Sequence, residues 1–219
     1  MKNKISRRGF VKTAVFCGSV PFILPSRIWS AEVKPNDKIT MGFIGMGTQA
    51  RSLLGGFLND VEVQVLAVCD VDTTRREFNK KTVDDFYSKK NAQNYKGCDA
   101  YNDFRDLLKR KDINAVCIAT PDHWHAIPTI LACKSGKDIY CEKPLSLTIP
   151  EARSMVNAVR KYKRVLQTGS MQRSSREFLK ACELVRNGRI GEVKEVYVSV
   201  GGPSKWCDLP EEQMEPGLD

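Results

Sequence analysis

A short glycine loop at residues 45–50 constrains this chain more than any other feature of its sequence. The loop consists of Gly45, Met46, Gly47, Thr48, Gln49 and Ala50. It has the pattern G-x-G-x-x-A and lies between a predicted strand at 39–44 and a predicted helix at 48–58. Gly45 permits the tight turn, Gly47 lets the backbone approach a pyrophosphate, and Ala50 lets the helix pack on the strand. Because the helix also begins there, with free N–H groups, the loop is expected to bind a dinucleotide.

An acidic residue supports the same interpretation. Asp70 follows Gly45 by 25 residues and ends a second predicted strand at 61–70. A carboxylate there can accept hydrogen bonds from the adenosine ribose, and it repels a 2′-phosphate. The sequence therefore favours NAD over NADP, although Arg75 and Arg76 could reverse the preference. The other role open to Asp70 is a helix cap, for which Asp72 is better placed.

Apolar strands and amphipathic helices alternate along the chain from Lys38. The predicted strands lie at 39–44, 61–70, 115–120, 138–141 and 165–168. The predicted helices lie at 48–58, 73–88, 103–109, 124–135 and 150–162. Such alternation predicts the α/β class, with a doubly wound, Rossmann-type parallel sheet covered by helices on both faces.

The first 31 residues have the composition of an export signal. Arg7 and Arg8 precede Gly-Phe-Val-Lys, and a short apolar stretch with Gly18 and Pro21 follows. The stretch is too short to span a bilayer, and the arginine pair resembles a twin-arginine signal. We expect the export machinery for folded proteins as a partner and a periplasmic or otherwise extracytoplasmic location. The alternative is a disordered basic tail.

The formal charge of +9 does not indicate nucleic-acid binding. Residues 1–31 hold six basic and no acidic groups, which leaves 29 basic and 26 acidic groups elsewhere. Basic residues are not interleaved with aromatic ones, so no nucleic-acid partner is predicted. None of the eight cysteines forms a C-x-x-C pair, and apolar runs surround Cys69, Cys117 and Cys141, which indicates buried thiols.

Two further motifs follow predicted strands, at the sheet edge where ligands of open α/β sheets bind. They are Thr120-Pro121-Asp122-His123-Trp124-His125 and Glu142-Lys143-Pro144. Together with the glycine loop they closely resemble the glucose–fructose oxidoreductase / inositol dehydrogenase / rhizopine-catabolism (Gfo/Idh/MocA) family. The resemblance runs from about Lys38 to the last residue. The arginine pair, the segment Asp122-His123-Trp124-His125 and the run Gly169-Ser170-Met171-Gln172-Arg173-Ser174 are similar to its exported bacterial branch.

The resemblance implies roles for matching residues. Lys143 corresponds to the catalytic lysine, close to both nicotinamide and substrate, and Glu142 to a group that contacts the cofactor ribose or orients the lysine. Pro144 would fix the turn that aims Lys143. The segment that contacts the nicotinamide side is matched by Thr120, Pro121 and His125, and the first substrate-pocket residues by Gln172 and Arg173. The family needs no metal, so none is predicted at the His123-x-His125 pair.

The resemblance also implies three parts: an export signal at 1–31, an NAD(P)-binding Rossmann domain at 38–168, and the beginning of a substrate and oligomerisation domain at 169–219. The last part should contain a helix at 174–187 and a strand at 193–201. Family members continue well beyond this point with a mostly antiparallel sheet. The chain is therefore expected to be a truncated form of a homo-oligomer and to lack catalytic activity on its own.

Three functions are consistent with these observations. The first is a dehydrogenase that transfers a hydride between nicotinamide and a sugar or polyol hydroxyl. The second is a redox-neutral glycosidase or lyase that oxidises a sugar hydroxyl transiently with tightly held NAD. The third is a non-catalytic dinucleotide-binding module.

Overall fold

A computed structural model describes residues 37–90, 95–202 and 213–218. Its centre is a six-stranded parallel sheet. The strands are β1 Ile39–Ile44, β2 Val63–Cys69, β3 Asp99–Tyr101, β4 Ala115–Ile118, β5 Asp138–Glu142 and β6 Leu166–Gly169. The helices are α1 Thr48–Asn59, α2 Thr73–Lys89, α3 Phe104–Leu108, α4 Ala126–Lys134, α5 Ile149–Tyr162 and α6 Arg176–Arg186. The strand order β3-β2-β1-β4-β5-β6 is that of the Rossmann fold, so the predicted fold class is confirmed.

Alternate side chains of the inner strands enter two separate cores, one on each face of the sheet. Phe43 packs with Leu54 of α1 on one face, whereas Ile44 belongs to the core that α4 and α5 cover on the other. Successive strand residues point to opposite faces, and each fully buried side chain of this size stabilises the fold by about 1.5–3 kcal/mol. Both faces are therefore dry, which leaves the strand ends as the place for polar chemistry.

Local capping explains where two of the helices begin. The Asp72 carboxylate accepts a hydrogen bond from Arg75 N at 3.0 Å, which confirms Asp72 as the cap of α2. Thr148 and Glu151 form a reciprocal capping box at the start of α5. Each cap satisfies N–H groups that the first helical turn leaves unpaired.

The helix predicted at 124–135 is divided in the structure. Residues Asp122–Trp124 form a 3-10 turn, and α4 begins only at Ala126. The turn is closed by Trp124 N, which donates to Pro121 O at 2.8 Å. The short strand β3 was not delimited in the sequence, because three residues are too few to show an alternation of apolar and polar side chains.

One predicted element is absent. Residues 191–202 are described without secondary structure and are exposed, so the strand predicted at 193–201 is wrong for the structure as described. No other strand among the described residues lies beside this segment, and a lone strand leaves its backbone N–H and C=O groups unpaired. The helix predicted at 174–187 is confirmed as α6.

The export signal predicted at 1–31 lies outside the described residues. Within the described ranges, no helix combines the length and hydropathy needed to cross a membrane.

Candidate functional site

A cleft of about 660 Å³ opens at the carboxyl ends of the central strands. Its walls come from the glycine loop, from the residues after β2, β3 and β4, and from Leu218. The predicted site residues in these walls are Gly45, Gly47, Thr48, Gln49, Asp70, Thr120 and Pro121.

Gly45 follows β1 and lies beside the backbone of Thr120. Its φ of +84° belongs to the left-handed region, and an added Cβ would lie 2.7 Å from Thr120 N and 2.8 Å from Thr120 Cα. Neither obstacle is a flexible side chain, so no other residue fits without moving the backbone. Gly45 is therefore required by the packing of the fold itself.

Gly47 has a different role. Its φ of −71° is ordinary, and an added Cβ would meet nothing within 4 Å. Gly47 is also the cap of α1 and offers no side chain to the N–H groups of the first turn. These donors and the positive end of the helix dipole stay available for a phosphate.

The Asp70 carboxylate holds the glycine loop in shape. One oxygen, Oδ2, accepts from Met46 N at 2.6 Å, and the other, Oδ1, accepts from Asp72 N at 2.9 Å. Each carboxylate oxygen has a second lone pair, so ribose hydroxyls can still be bound. Burial, with a smaller contribution from Asp70, raises the pKa of the neighbouring Cys69 thiol to about 12, so Cys69 stays neutral.

A second, smaller cavity of about 140 Å³ adjoins the cleft and shares Gln49, Ala119 and Thr120 with it. The rest of its wall consists of Asp122, His125, Glu142 and Lys143. The two motifs that follow β4 and β5 therefore meet in one place, although 16 residues lie between them in the sequence.

Glu142 is buried between these motifs. Its Oε1 atom accepts from Gln49 Nε2 at 3.2 Å and from the Tyr140 hydroxyl at 3.4 Å, and its Oε2 accepts from Lys143 N at 3.2 Å. An added Cβ on Gly169 would lie 2.6 Å from Glu142 Oε1, so β6 leaves room for this carboxylate. Glu142 thus connects the glycine loop to the backbone of Lys143.

Lys143 itself is exposed at the mouth of the small cavity, and it precedes a cis peptide bond to Pro144. His125 is buried beneath it, and its two ring nitrogens face the carbonyl oxygens of Pro144 and Thr120.

Three predicted residues lie apart from the cavity walls. Ala50 is fully buried, in keeping with its packing role under α1. Gln172 and Arg173 are exposed on the 3-10 turn Met171–Ser174, and neither belongs to the wall of either cavity as described. The assignment of Gln172 and Arg173 to a substrate pocket stays a prediction.

Several cleft residues were given no binding role from the sequence. They are Asn102, Asp103, Phe104, Arg105, His123, Trp124 and Pro128. Four of them follow β3. Because the sequence did not predict β3, the expectation that ligands bind at the carboxyl ends of strands could not be applied there. His123 and Trp124 belong to a motif that the sequence did indicate.

The residues present fit a dinucleotide. Apart from the open glycine loop and the Asp70 carboxylate, the cleft contains Thr120, whose Oγ1 is buried with no hydrogen-bond partner among the described residues. A buried hydroxyl without a partner is costly, and a bound polar group would satisfy it. In the described part of the chain, no three His, Cys, Asp or Glu side chains cluster as a metal site requires, and the expectation that no metal binds stays a prediction.

Comparison with known proteins identifies the fold family. The model of the Gfo/Idh/MocA oxidoreductase family, described as an NAD-binding Rossmann fold, matches residues 39–170, more than half of the chain. This chain belongs to the Gfo/Idh/MocA oxidoreductase family. The family description agrees with the prediction that the cofactor is NAD.

Individual relatives carry two kinds of name. The chain is 31% identical over 208 residues to a glycosyl hydrolase family 109 protein of Shewanella pealeana, covering 87% of this chain and 44% of that protein. It is 29% identical over 160 residues to the inositol 2-dehydrogenase of Salmonella typhimurium, covering 71% of this chain and 44% of that enzyme. The chain therefore spans less than half the length of these curated relatives.

A solved structure of the Gfo/Idh/MocA type has the same fold. The crystal structure of myo-inositol 2-dehydrogenase from Lactobacillus plantarum superposes with a TM-score of 0.63 at 25% identity. The match covers 71% of this chain and 43% of that one.

The two loop glycines make a prediction about stability and binding. Gly45→Ala should destabilise the protein by at least about 1–2 kcal/mol, because a left-handed backbone and a backbone clash oppose any Cβ. Gly47→Ala should change stability by less than about 1 kcal/mol yet weaken NAD about tenfold, because its Cβ enters the phosphate path. Urea unfolding and calorimetric titration with NAD measure the two effects, and equal behaviour of both variants would contradict the division of roles.

Proposed function

We propose that the protein transfers a hydride between bound NAD and a hydroxyl group of a sugar or polyol. The observation that carries this proposal is the position of Lys143. This residue lines the small cavity, which adjoins the NAD cleft. The shared wall of Gln49, Ala119 and Thr120 puts a proton-carrying group next to the end of the cleft. The inositol dehydrogenases among the relatives support a polyol substrate.

NAD, when bound, supplies the hydride acceptor. The chain supplies the proton chemistry, because Lys143 Nζ can hydrogen-bond the reacting oxygen and relay its proton. Glu142 fixes the backbone of Lys143 through the N–H to Oε2 bond, and it fixes Gln49 on the cofactor side through Oε1. The Thr120 hydroxyl is free to bind a polar group at the same end of the cleft.

The surroundings of Asp70 favour NAD over NADP. Arg76 is turned inward, where its guanidinium donates to Asp70 O at 2.8 Å and to Asn102 Oδ1 at 3.1 Å. Arg75 lines the cleft but is paired with Asp72 at 3.2 Å. Both arginines are thus engaged by the protein, while the Asp70 carboxylate would repel a 2′-phosphate.

Asp70→Ala tests this preference. The variant should lose about 10- to 100-fold in NAD affinity, the cost of a charge-assisted hydrogen bond to the ribose, and much less in NADP affinity. NADP is the internal control, because loss of the bond to Met46 N disturbs the loop for both cofactors alike. Titration with each nucleotide gives the two ratios, and an equal loss for both would rule out the ribose role.

Lys143→Ala tests the chemistry in the full-length protein. Turnover should fall by about 10²- to 10⁴-fold, the range for an acid–base group, with NAD affinity nearly unchanged. The exposed Lys134 at the end of α4 gives a matched control, because Lys134→Ala removes the same charge away from both cavities. Formation of NADH with a panel of inositols and pyranoses measures turnover, and a fully active Lys143→Ala variant would remove Lys143 from the mechanism.

A redox-neutral glycosidase is the second candidate, and the glycosyl hydrolase family 109 relative is the observation that favours it. In such a reaction a sugar hydroxyl is oxidised transiently to a ketone and the glycosidic group is eliminated as the alcohol. Water then adds to the resulting unsaturated ketone, and the hydride returns to the carbonyl of the same sugar. The proposed export of the protein, which places it where no free NAD pool exists, supports any reaction that returns its hydride within the site.

Product analysis separates the two candidates. If the hydride returns within the site, the full-length protein should turn over many times without added NAD and show little steady-state NADH absorbance. A panel of 4-nitrophenyl glycosides should then release nitrophenol with no accumulation of ketone. Continuous demand for free NAD with one NADH released per turnover would identify a simple dehydrogenase and contradict hydride return.

A further inference from the structure

Residues 215–218 form a tight turn that packs against the beginning of α2. Leu218 N donates to Glu215 O at 3.2 Å, and Pro216 and Gly217 occupy the two central positions. The φ of Gly217 is +89°, in the range that a type II turn needs at its third residue, and proline suits the second. The turn is therefore favoured by its own sequence.

Two backbone contacts connect this turn to α2. Thr73 N, the first N–H of the helix, donates to Gly217 O at 2.9 Å, and Leu218 forms an antiparallel bridge with Asp72. The first N–H groups of a helix have no partner within it, so the Gly217 carbonyl satisfies one of them. The family model matches residues 39–170, so the turn lies outside the matched Rossmann part of the chain.

These contacts bring Leu218 into the wall of the large cleft. Leu218 is 40% exposed, and Val71, a wall residue that precedes the bridged Asp72, is 50% exposed. Apolar side chains that stay partly exposed in a cleft are stabilised when a ligand covers them. This end of the cleft therefore favours an apolar group of the ligand.

The strand order indicates which part of NAD would lie at this end. Asp70, Val71 and Asp72 follow β2, whereas Lys143 follows β5, and β1 and β4 lie between these strands. Neighbouring strands are about 4.8 Å apart, so roughly 14 Å separates the two strand ends. An acidic residue after the second strand of a Rossmann fold binds the adenosine ribose. Leu218 is thus at the adenosine end, and the nicotinamide end points towards Lys143.

We propose that Leu218 packs against the adenine base of bound NAD, so that the turn at 215–218 adds a cofactor-binding residue from outside the matched Rossmann part. The proposal rests on the proposed position of NAD in this cleft. It does not depend on the chemistry of Lys143.

Leu218→Ala in the full-length protein tests this contact by titration with three ligands. They are NAD, ADP-ribose, which lacks the nicotinamide, and nicotinamide mononucleotide, which lacks the adenosine. The variant should bind NAD and ADP-ribose about tenfold more weakly, because apolar surface that covers the base is lost, and nicotinamide mononucleotide as the wild type does. Met214→Ala is the matched control, because Met214 is an exposed apolar residue near the same turn that belongs to neither cavity wall as described.

Hydrogen exchange of the wild-type protein gives a second measurement. The Thr73 amide is bonded to Gly217 O and exchanges when the turn moves away from α2. NAD and ADP-ribose should slow this exchange, because a bound adenine holds Leu218 in place, whereas nicotinamide mononucleotide should not. Equal slowing by ADP-ribose and nicotinamide mononucleotide would contradict a contact with adenine.

The results separate failure of this contact from failure of the proposed function. If Leu218→Ala behaves as Met214→Ala does, or weakens all three ligands equally, the adenine contact is overturned, while a loss of NAD affinity in Asp70→Ala still supports NAD in the cleft. If neither Asp70→Ala nor Gly47→Ala weakens NAD, both proposals fail. Full turnover of Lys143→Ala would remove the proposed chemistry and leave the contact of Leu218 standing.

Discussion

The close approach of Gly45 to the backbone of Thr120 is the constraint on which the site depends. Because no Cβ fits between them, β1 can turn into α1 directly beside the end of β4. That turn aims the free N–H groups of α1 into the cleft and brings the motif after β4 next to the glycine loop. The position of the cleft is thus a consequence of how two neighbouring strands end.

A second layer of contacts connects this cofactor side to Lys143. Glu142 reaches Gln49 on the glycine loop and the backbone of Lys143, and the lack of a side chain at Gly169 leaves space for it. On the other side of the loop, the His125 ring contacts the carbonyl of Pro144, which follows Lys143. Polar groups buried in this way rigidify a site when all of them are paired. Lys143, the exposed member, is therefore presented by a loop that is held from both sides.

The sequence predicted correctly the features that depend on residues close together in the chain. The spacing in the glycine loop and the Asp72 cap depend on residues close together in the chain, and the observed geometry agrees with each. The sequence did not predict β3, because three residues are too few to show an alternation of apolar and polar side chains. It therefore also missed the part of the cleft wall that follows β3. The strand expected at 193–201 failed because a strand is stable only when another pairs with it, which a local pattern cannot guarantee.

The sequence by itself determined the fold class, the cofactor loop and the two motifs at the strand ends, because periodicity and glycine spacing act within a few residues. Only the tertiary structure decided how those motifs work together. The bond from Gln49 to Glu142 spans 93 residues and the contact from His125 to Pro144 spans 19. Such contacts depend on strand order and on the space left at Gly169, and these are properties of the packed sheet that no stretch of sequence contains.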